Sequence, residues 1–284
     1  MRAERRFALS RCGPREAAVV KLGVMADVHG NRIALEAVVA DARSLGVDAW
    51  WVLGDLVAIG PEPVATLELI ADLPNVTITR GNTERYVLTT DRPLPHRADA
   101  LESVETLDLL LAVESSFSWT RGTLAATGWL PWLDGLPLEV RMTLPDGTSM
   151  FGVHATPGLD DGPGITPHRN AGELAAALSV AGADIVVGGH THQPTDRVVA
   201  GIRALNPGSV GNPIVDDRRA AYVVVHADAD RHHIEHRRVA YDREAFLERL
   251  AESGHPQQDY IASFQRGDQI RYPAEREGAP ALTM

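Results

Sequence analysis

The chain reads as an α/β protein: a mostly parallel sheet with covering helices, joined to a second sheet. Three observations predict it. Apolar runs of strand length alternate with helix-spaced segments from residue 19 to residue 79. The loops between them are short and rich in Gly, Asp and Asn. The second half changes to hairpin-like strands, which fits two sheets packed face to face with helices outside.

Taken in order, residues 1–18 are basic, lack periodicity and predict a flexible extension before the fold. Val19 to Ala26 is a buried strand that stops at Asp27. Asn31 to Ser44 has helical spacing, with Ile33, Ala37 and Ala40 on one stripe and Gly46 closing it. Ala49 to Leu53 is the second strand. Pro61 opens a second helix whose apolar residues are Val64, Leu67, Leu69 and Ile70, and Val76 to Thr79 is the third strand. Residues 84–133 read as helical pieces broken by Pro93, Pro95 and Gly122, a helical insert or lid. Leu138 to Leu144 alternates at period two and turns through Pro145 to Thr148 into Ser149 to His154, a hairpin. Gly172 to Ala181 is helical and Ile185 to Val187 is again a buried strand. Short strands follow near 197–199, 202–205, 220–226 and 233–239, then a helix from Asp242 to Glu252. The expected organisation is an extension (1–18), one domain (19–253, with the insert at 84–133) and a tail (254–284) with one short helix around Tyr260.

Composition narrows the function classes. The 284 residues are 44% hydrophobic and 23% charged, which excludes wholesale disorder. Lys and Arg total 27 against 38 Asp and Glu, a net charge of −11. So acidic a chain is not expected to bind nucleic acid non-specifically or an anionic membrane, since both need a basic face. Cys12 is the only cysteine, which excludes an intrachain disulfide and a thiolate metal cluster. The first twenty residues contain no apolar secretory core, and no run of about 18 apolar residues exists. The expectation is a soluble, cytoplasmic protein.

Five polar clusters follow strand ends: Asp27-Val28-His29, Gly54-Asp55, Gly81-Asn82, His154, and Gly189-His190-Thr191-His192. Ligands bind at the carboxyl ends of strands in open α/β sheets. In extended backbone, residues i and i+2 point the same way, so Asp27 and His29 can share a target, as can His190 and His192. Imidazole, carboxylate and amide oxygen together suit zinc, manganese or iron rather than calcium. Four histidines, two aspartates and one asparagine exceed one tetrahedral ion and suit two ions sharing a carboxylate. Glycines at 54, 81 and 189 let the backbone turn and approach closely.

The ordered set Asp27-x-His29, Gly54-Asp55-x4-Gly60, Gly81-Asn82, His154 and Gly189-His190-x-His192 resembles the calcineurin-like metallophosphoesterases. It is most similar to their small bacterial and archaeal phosphodiesterase branch, and Asn206 to Gly211 resembles a turn of that branch. The resemblance implies a four-layer α/β/β/α sandwich of two mixed sheets. By position it assigns Asp27, His29 and His192 to a first metal ion and Asn82, His154 and His190 to a second, with Asp55 bridging. The implied cofactors are two divalent or trivalent ions (Mn, Fe or Zn). The implied reaction is hydrolysis of a small-molecule or nucleotide-like phosphodiester by a hydroxide that bridges the two ions, with Asp55, Asn82 and His154 as its catalytic residues. Other substrates remain open: a phosphomonoester, a phosphoprotein or a dinucleoside polyphosphate. So does a non-catalytic scaffold on this fold.

One position departs from the pattern. Many relatives carry a proton-donating histidine after the Gly-Asn pair, and here that residue is Thr83. A threonine hydroxyl is a poor acid at neutral pH, so activated diesters are favoured; Asp161 and His168 are candidate replacements. Elsewhere simpler readings prevail. His232, His233 and His236 read as a solvated hairpin strand, Trp129 and Trp132 as the core of the insert, and Cys12 as an inert thiol. Arg80 and Arg85 fit either a phosphate contact or surface ion pairs.

Overall fold

The computed structural model describes residues 19–99 and 103–268. The expected extension at 1–18, with Cys12, and the end of the expected tail beyond 268 lie outside the described residues. The first elements are β1 (Val20–Met25), α1 (Arg32–Ser44), β2 (Ala49–Leu53), α2 (Pro63–Ala71), β3 (Val76–Thr79) and α3 (Asn82–Leu88). Then come α4 (Val104–Thr127), α5 (Leu130–Asp134), β4 (Glu139–Thr143), β5 (Ser149–Val153), α6 (Ala171–Ser179) and β6 (Ile185–Val187). The last are β7 (Thr195–Val199), β8 (Ile202–Asn206), β9 (Ala220–Ala227), β10 (His232–Val239), α7 (Arg243–Glu252) and α8 (Gln258–Arg266).

Two mixed five-stranded sheets result, ordered β10-β9-β1-β2-β3 and β4-β5-β6-β8-β7. Within the first, β1, β2 and β3 are parallel, with Leu22 opposite Ala49 and Trp50 opposite Val76. In the second, β5, β6 and β8 are parallel and the edge strands β4 and β7 are antiparallel. Alternation along each strand divides the apolar residues between two faces. Leu22, Val24, Trp51, Leu53, Val223 and Val225 of the first sheet pack on Met150, Ile185, Val187 and Leu205 of the second. The opposite face of the first sheet offers Met25, Trp50, Val52, Tyr222 and Val224 to helices. That of the second offers Phe151, Val153, Val186 and Ala204 to α6. Burial of a side chain such as Phe151 stabilises by about 1.5–3 kcal/mol. The layers are therefore helix, sheet, sheet, helix.

Two details differ from the sequence reading. The buried face of α1 is Ala34, Leu35, Val38, Val39 and Ala42. The stripe read as Ile33, Ala37 and Ala40 lies one step round; Ile33 leans on the cluster of α7 and α8, and Ala40 is exposed. Gly122 does not interrupt α4, which runs 24 residues from a Ser103 cap to left-handed Gly128. A helical glycine costs only about 1 kcal/mol relative to alanine, and Val113, Phe117 and Leu124 anchor that helix in the layer over the first sheet. The insert thus joins the helical layer. The short helix expected around Tyr260 is α8: its Ile261 and Phe264 meet Phe246, Leu250 and Ile59, and Gln265 donates from Nε2 to the Gly211 carbonyl at 2.8 Å. No helix among the described residues is long and apolar enough to cross a membrane.

Because β1, β2 and β3 run parallel in one sheet and β5 and β6 in the other, five carboxyl ends meet along one edge of the sandwich.

Candidate metal centre

The loops at that edge are built on unusual backbone. Asp27 (φ 57°), His29 (52°), Asp55 (55°), His190 (65°) and His192 (54°) all adopt the left-handed conformation. They are five of the eight non-glycine residues that do so among the described residues. The pairs Asp27/His29 and His190/His192 therefore converge through left-handed turns, not through the extended geometry their spacing suggests. Such backbone costs on the order of 1–3 kcal/mol per residue and is held by its surroundings. Asp27 N–H donates to the Gly54 carbonyl at 3.1 Å and His29 N–H to that of Asp55 at 2.9 Å. His190 N–H donates to the Asp27 carboxylate at 3.1 Å. Two glycines are obligatory: a Cβ at Gly81 would run into Asp55 Oδ1, and one at Gly189 would lie 2.7 Å from Asp27 Oδ2.

The seven side chains read from the sequence as ligands all lie here, buried. Ligand atoms of Asp27, His29, Asp55 and His192 fall within 4.8 Å of one another. Beside them Asn82 Oδ1 lies 2.9 Å from His154 Nε2 and 3.0 Å from His190 Nδ1. Asp55 faces both groups, with Oδ2 3.7 Å from His29 Nε2 and Oδ1 3.3 Å from His154 Nε2.

The outer nitrogen of every histidine faces a main-chain carbonyl. His29 Nδ1 faces Ala58 at 3.2 Å, His154 Nδ1 faces Leu53 at 2.7 Å, His192 Nδ1 faces Asn212, and His190 Nε2 faces Gly162 at 2.9 Å. A carbonyl only accepts, so each outer nitrogen carries a proton and each inner nitrogen faces the centre, where it can hold a proton or a metal ion. His29 Nε2 and His192 Nε2 oppose each other at 3.1 Å. His154 Nε2 and His190 Nδ1 face the same amide oxygen. Four inner nitrogens and the oxygens of Asp27, Asp55 and Asn82 thus converge. Ligand atoms about 2.0–2.2 Å from a shared ion sit roughly 3–4 Å apart, and neighbouring ligand atoms here lie 2.9–3.7 Å apart. The donor set fits metal ions.

The protonation pattern shows the same demand for positive charge. Burial opposes charging His154, yet Asp55 and Asp27 carry its pKa up to about 10. His192 is likewise raised, by Asp27 against burial. Burial would raise Asp55, but the His154 cation outweighs it and holds the carboxyl below its usual range. Burial lowers His29 to about 4, against the pull of Asp55. Protons stand where cations are wanted.

One supporting residue escaped the sequence reading. Buried Glu84 accepts from the main-chain N–H groups of Asp55 (2.8 Å), Leu56 (2.7 Å) and Gly81 (2.9 Å), tying the β2 loop to the β3 loop. Burial and the charge of Asp55 push it up to about 7, against those bonds. Its signal was a glutamate three residues after Gly81 at a helix start, the capping-box spacing. Thr83 is committed as well: its N–H and its hydroxyl both donate to Asp55 Oδ1 at 2.9 Å.

The other candidates fall as follows. Arg80 and Arg85 form ion pairs, both with Asp160 and Arg85 also with Asp91 and Asp161. Asp161 Oδ1 lies 3.6 Å from His190 Nε2, while His168 is exposed. The β10 histidines do not converge: His232 pairs with Asp146, His236 lies 3.7 Å from Asp196, and His233 stacks on His226. Trp129 and Trp132 pack edge to face in the insert.

A two-sheet α/β sandwich with a His/Asp/Asn centre at the strand ends is the build of a metal-dependent phosphoester hydrolase. Residues 20–230 match the calcineurin-like phosphoesterase superfamily domain, and the chain belongs to that family. It is 27% identical over 251 residues to the uncharacterized protein MJ0912 of Methanocaldococcus jannaschii, covering 83% of this chain and 94% of that one. The metallophosphoesterase of Sphaerobacter thermophilus superposes with a TM-score of 0.65 at 27% identity, over 88% of this chain and all of that one. The hypothetical protein PH1004 of Pyrococcus horikoshii shares the fold, with a TM-score of 0.71 at 23% identity over 86% of this chain and 97% of that one.

Proposed function

We propose that this protein is a two-metal phosphodiesterase, with Asp27, His29 and His192 holding one ion, Asn82, His154 and His190 the other, and Asp55 shared. The observation that carries the reading is the four-histidine arrangement: every outer nitrogen is fixed on a carbonyl, and every inner nitrogen converges with the oxygens. Bound there, manganese, iron or zinc would supply Lewis acidity, charge neutralisation and an acidified water for attack at phosphorus.

The chain's own residues do the positioning. Asp55 turns one oxygen to each half of the centre, and Thr83 holds its Oδ1 by two bonds. The carbonyls of Ala58, Leu53, Asn212 and Gly162 fix ring orientation and tautomer. Asn82 Nδ2 is buried with no partner among the described residues, and it is placed to donate to a phosphoryl oxygen beside the centre. Position 83 offers no imidazole to protonate a departing alkoxide, which favours diesters with good leaving groups.

The test is hydrolysis of bis-p-nitrophenyl phosphate beside p-nitrophenyl phosphate, after chelation and after adding back manganese, zinc or iron. Metal-restored cleavage of the diester with little of the monoester is expected. Preference for the monoester would make the protein a phosphomonoesterase. Two bound ions with neither ester cleaved would make it a scaffold.

A further inference from the structure

Beside the metal centre lies a cavity of about 480 Å³ that none of the seven clustered side chains lines. Arg85 and Tyr86 of α3, Leu110 and Glu114 of α4, and six residues between Thr90 and Arg97 line it. Asp161 joins the two spaces. One of its oxygens lies 3.6 Å from His190 Nε2, and the other accepts from the Tyr86 hydroxyl and from Arg85 Nη2 on the cavity side. A group in the cavity is thus one side chain away from the proposed ligands. The volume falls in the range of about 300–1,000 Å³ typical of small-molecule sites.

The lining narrows what fits. Leu110 and Pro95 are the only aliphatic contributions, too little for a lipid chain. Three arginines face three carboxylates, and two of the arginines are committed to acidic partners. Arg85 is engaged by Asp91, Asp160 and Asp161. Arg92 is engaged by Glu114 and by the carbonyls of Tyr86, Thr89 and Asp91. Arg97, at the exposed rim, reaches Glu114 only at 4.0 Å. With three arginines against three carboxylates, the lining carries no net positive charge for a second phosphate. What remains open is mixed: among the described residues no hydrogen bond reaches Asp91 Oδ1 or Glu114 Oε1, while the Thr90 hydroxyl and the Arg97 guanidinium are free to donate. Neighbouring hydroxyl groups both donate and accept, and they match such a wall.

We infer that this cavity binds a hydroxyl-rich, uncharged group of the substrate, such as a glycerol or sugar unit esterified to the phosphorus. The inference rests on the phosphodiesterase reading and assigns that reaction its substrate class.

The test compares glyceryl p-nitrophenyl phosphate with propyl p-nitrophenyl phosphate, which share phosphorus and leaving group and differ only in hydroxyls. A 2-carboxyethyl ester serves as the anionic third probe. Wild-type enzyme, loaded with the metal that supports bis-p-nitrophenyl phosphate cleavage, is expected to favour the glyceryl ester about tenfold in kcat/KM, the worth of one hydrogen bond to a charged group. In Asp91→Ala, whose carboxylate is 59% exposed, and in cavity-filling Leu110→Trp, the glyceryl-to-propyl ratio should fall to about twofold, with metal content measured in each. Equal rates for the two esters in wild type, a ratio that survives both variants, or preference for the carboxyethyl ester would overturn the assignment. If no ester is cleaved with any metal, the phosphodiesterase reading fails. Calorimetric titration with the glyceryl ester then judges the cavity alone: binding weakened by Leu110→Trp keeps it, and no saturable binding ends it.

Discussion

Glu84 offers the sharpest quantitative test of how the centre is held. Its carboxylate takes three main-chain N–H groups, two on Oε2 and one on Oε1, all within 2.7–2.9 Å. Glu84→Ala leaves three buried donors unpaired at about 1–3 kcal/mol each, a loss of about 3–9 kcal/mol. Against a typical total of about 5–15 kcal/mol, that variant stands at the edge of folding. Glu84→Gln is the informative one. Its carbonyl can keep the two bonds made by Asp55 and Gly81, while its amide opposes the Leu56 N–H, so about 1–3 kcal/mol is lost. Urea unfolding followed by the fluorescence of buried Trp50 and Trp51 measures both. Metal content measured alongside should fall in Glu84→Gln, because the Gly54–Leu56 turn that aims Asp55 is released. Stabilities within 0.5 kcal/mol of wild type for both variants, roughly the scatter of neutral surface changes, would refute the reasoning.

Four further outcomes are expected. Asp55→Asn and His154→Ala should each cut metal-dependent turnover at least about 100-fold while the protein remains folded by circular dichroism; unchanged turnover in both would dismiss the site. Thr83→Val removes the hydroxyl bond to Asp55 but keeps the main-chain bond, so metal affinity should drop about 10–100-fold and return in Thr83→Ser; equilibrium dialysis decides. His255, buried against Trp119 and 3.2 Å from Ser116 Oγ, is lowered by burial to about 4. The unfolded chain protonates it first, so its stabilisation is complete above about pH 6.5 and fades toward pH 4; urea titrations should show about 2 kcal/mol lost across that window, absent in His255→Gln. Metal at a hundred times its Kd should stabilise the fold by about 2.7 kcal/mol; scanning calorimetry with and without chelator would show equal curves if no ion binds.

Much of this was legible in the sequence because residue type and strand ends are local properties. The runs at 19–26, 49–53 and 76–79 each end in a polar cluster, and the structure gathers those clusters at one edge because the strands run parallel. Geometry was less legible. The i, i+2 spacing of Asp27 and His29 suggested extended backbone, but tertiary bonds from Gly54 and Asp55 force left-handed turns there. The stripe on α1 was displaced because small alanines recur all round that helix, and only the sheet beneath decides which of them are buried. Glu84 was hidden for a related reason: one glutamate at a helix start looks like a cap until two more main-chain donors, from the loop after β2, arrive from elsewhere in the fold. The cavity at Asp161 lies between segments about 75 residues apart in the chain and has no local signature.

The strained turns and the ligand cluster are one feature seen twice. Left-handed Asp27, His29, Asp55, His190 and His192 bring buried imidazoles and carboxylates together on backbone that itself opposes the arrangement. It persists because an outer ring opposes collapse: Glu84 on three N–H groups, Asn206 Nδ2 on the Gly189 carbonyl at 2.7 Å, and Ser209 Oγ on the Asp27 carbonyl at 2.8 Å. A ligand set held in place in this way has little to reorganise when metal ions take the positions that protons hold on His154 and His192. Loosening the outer ring therefore costs metal affinity and fold stability together, because the bonds that fix the turns are the bonds that aim the ligands.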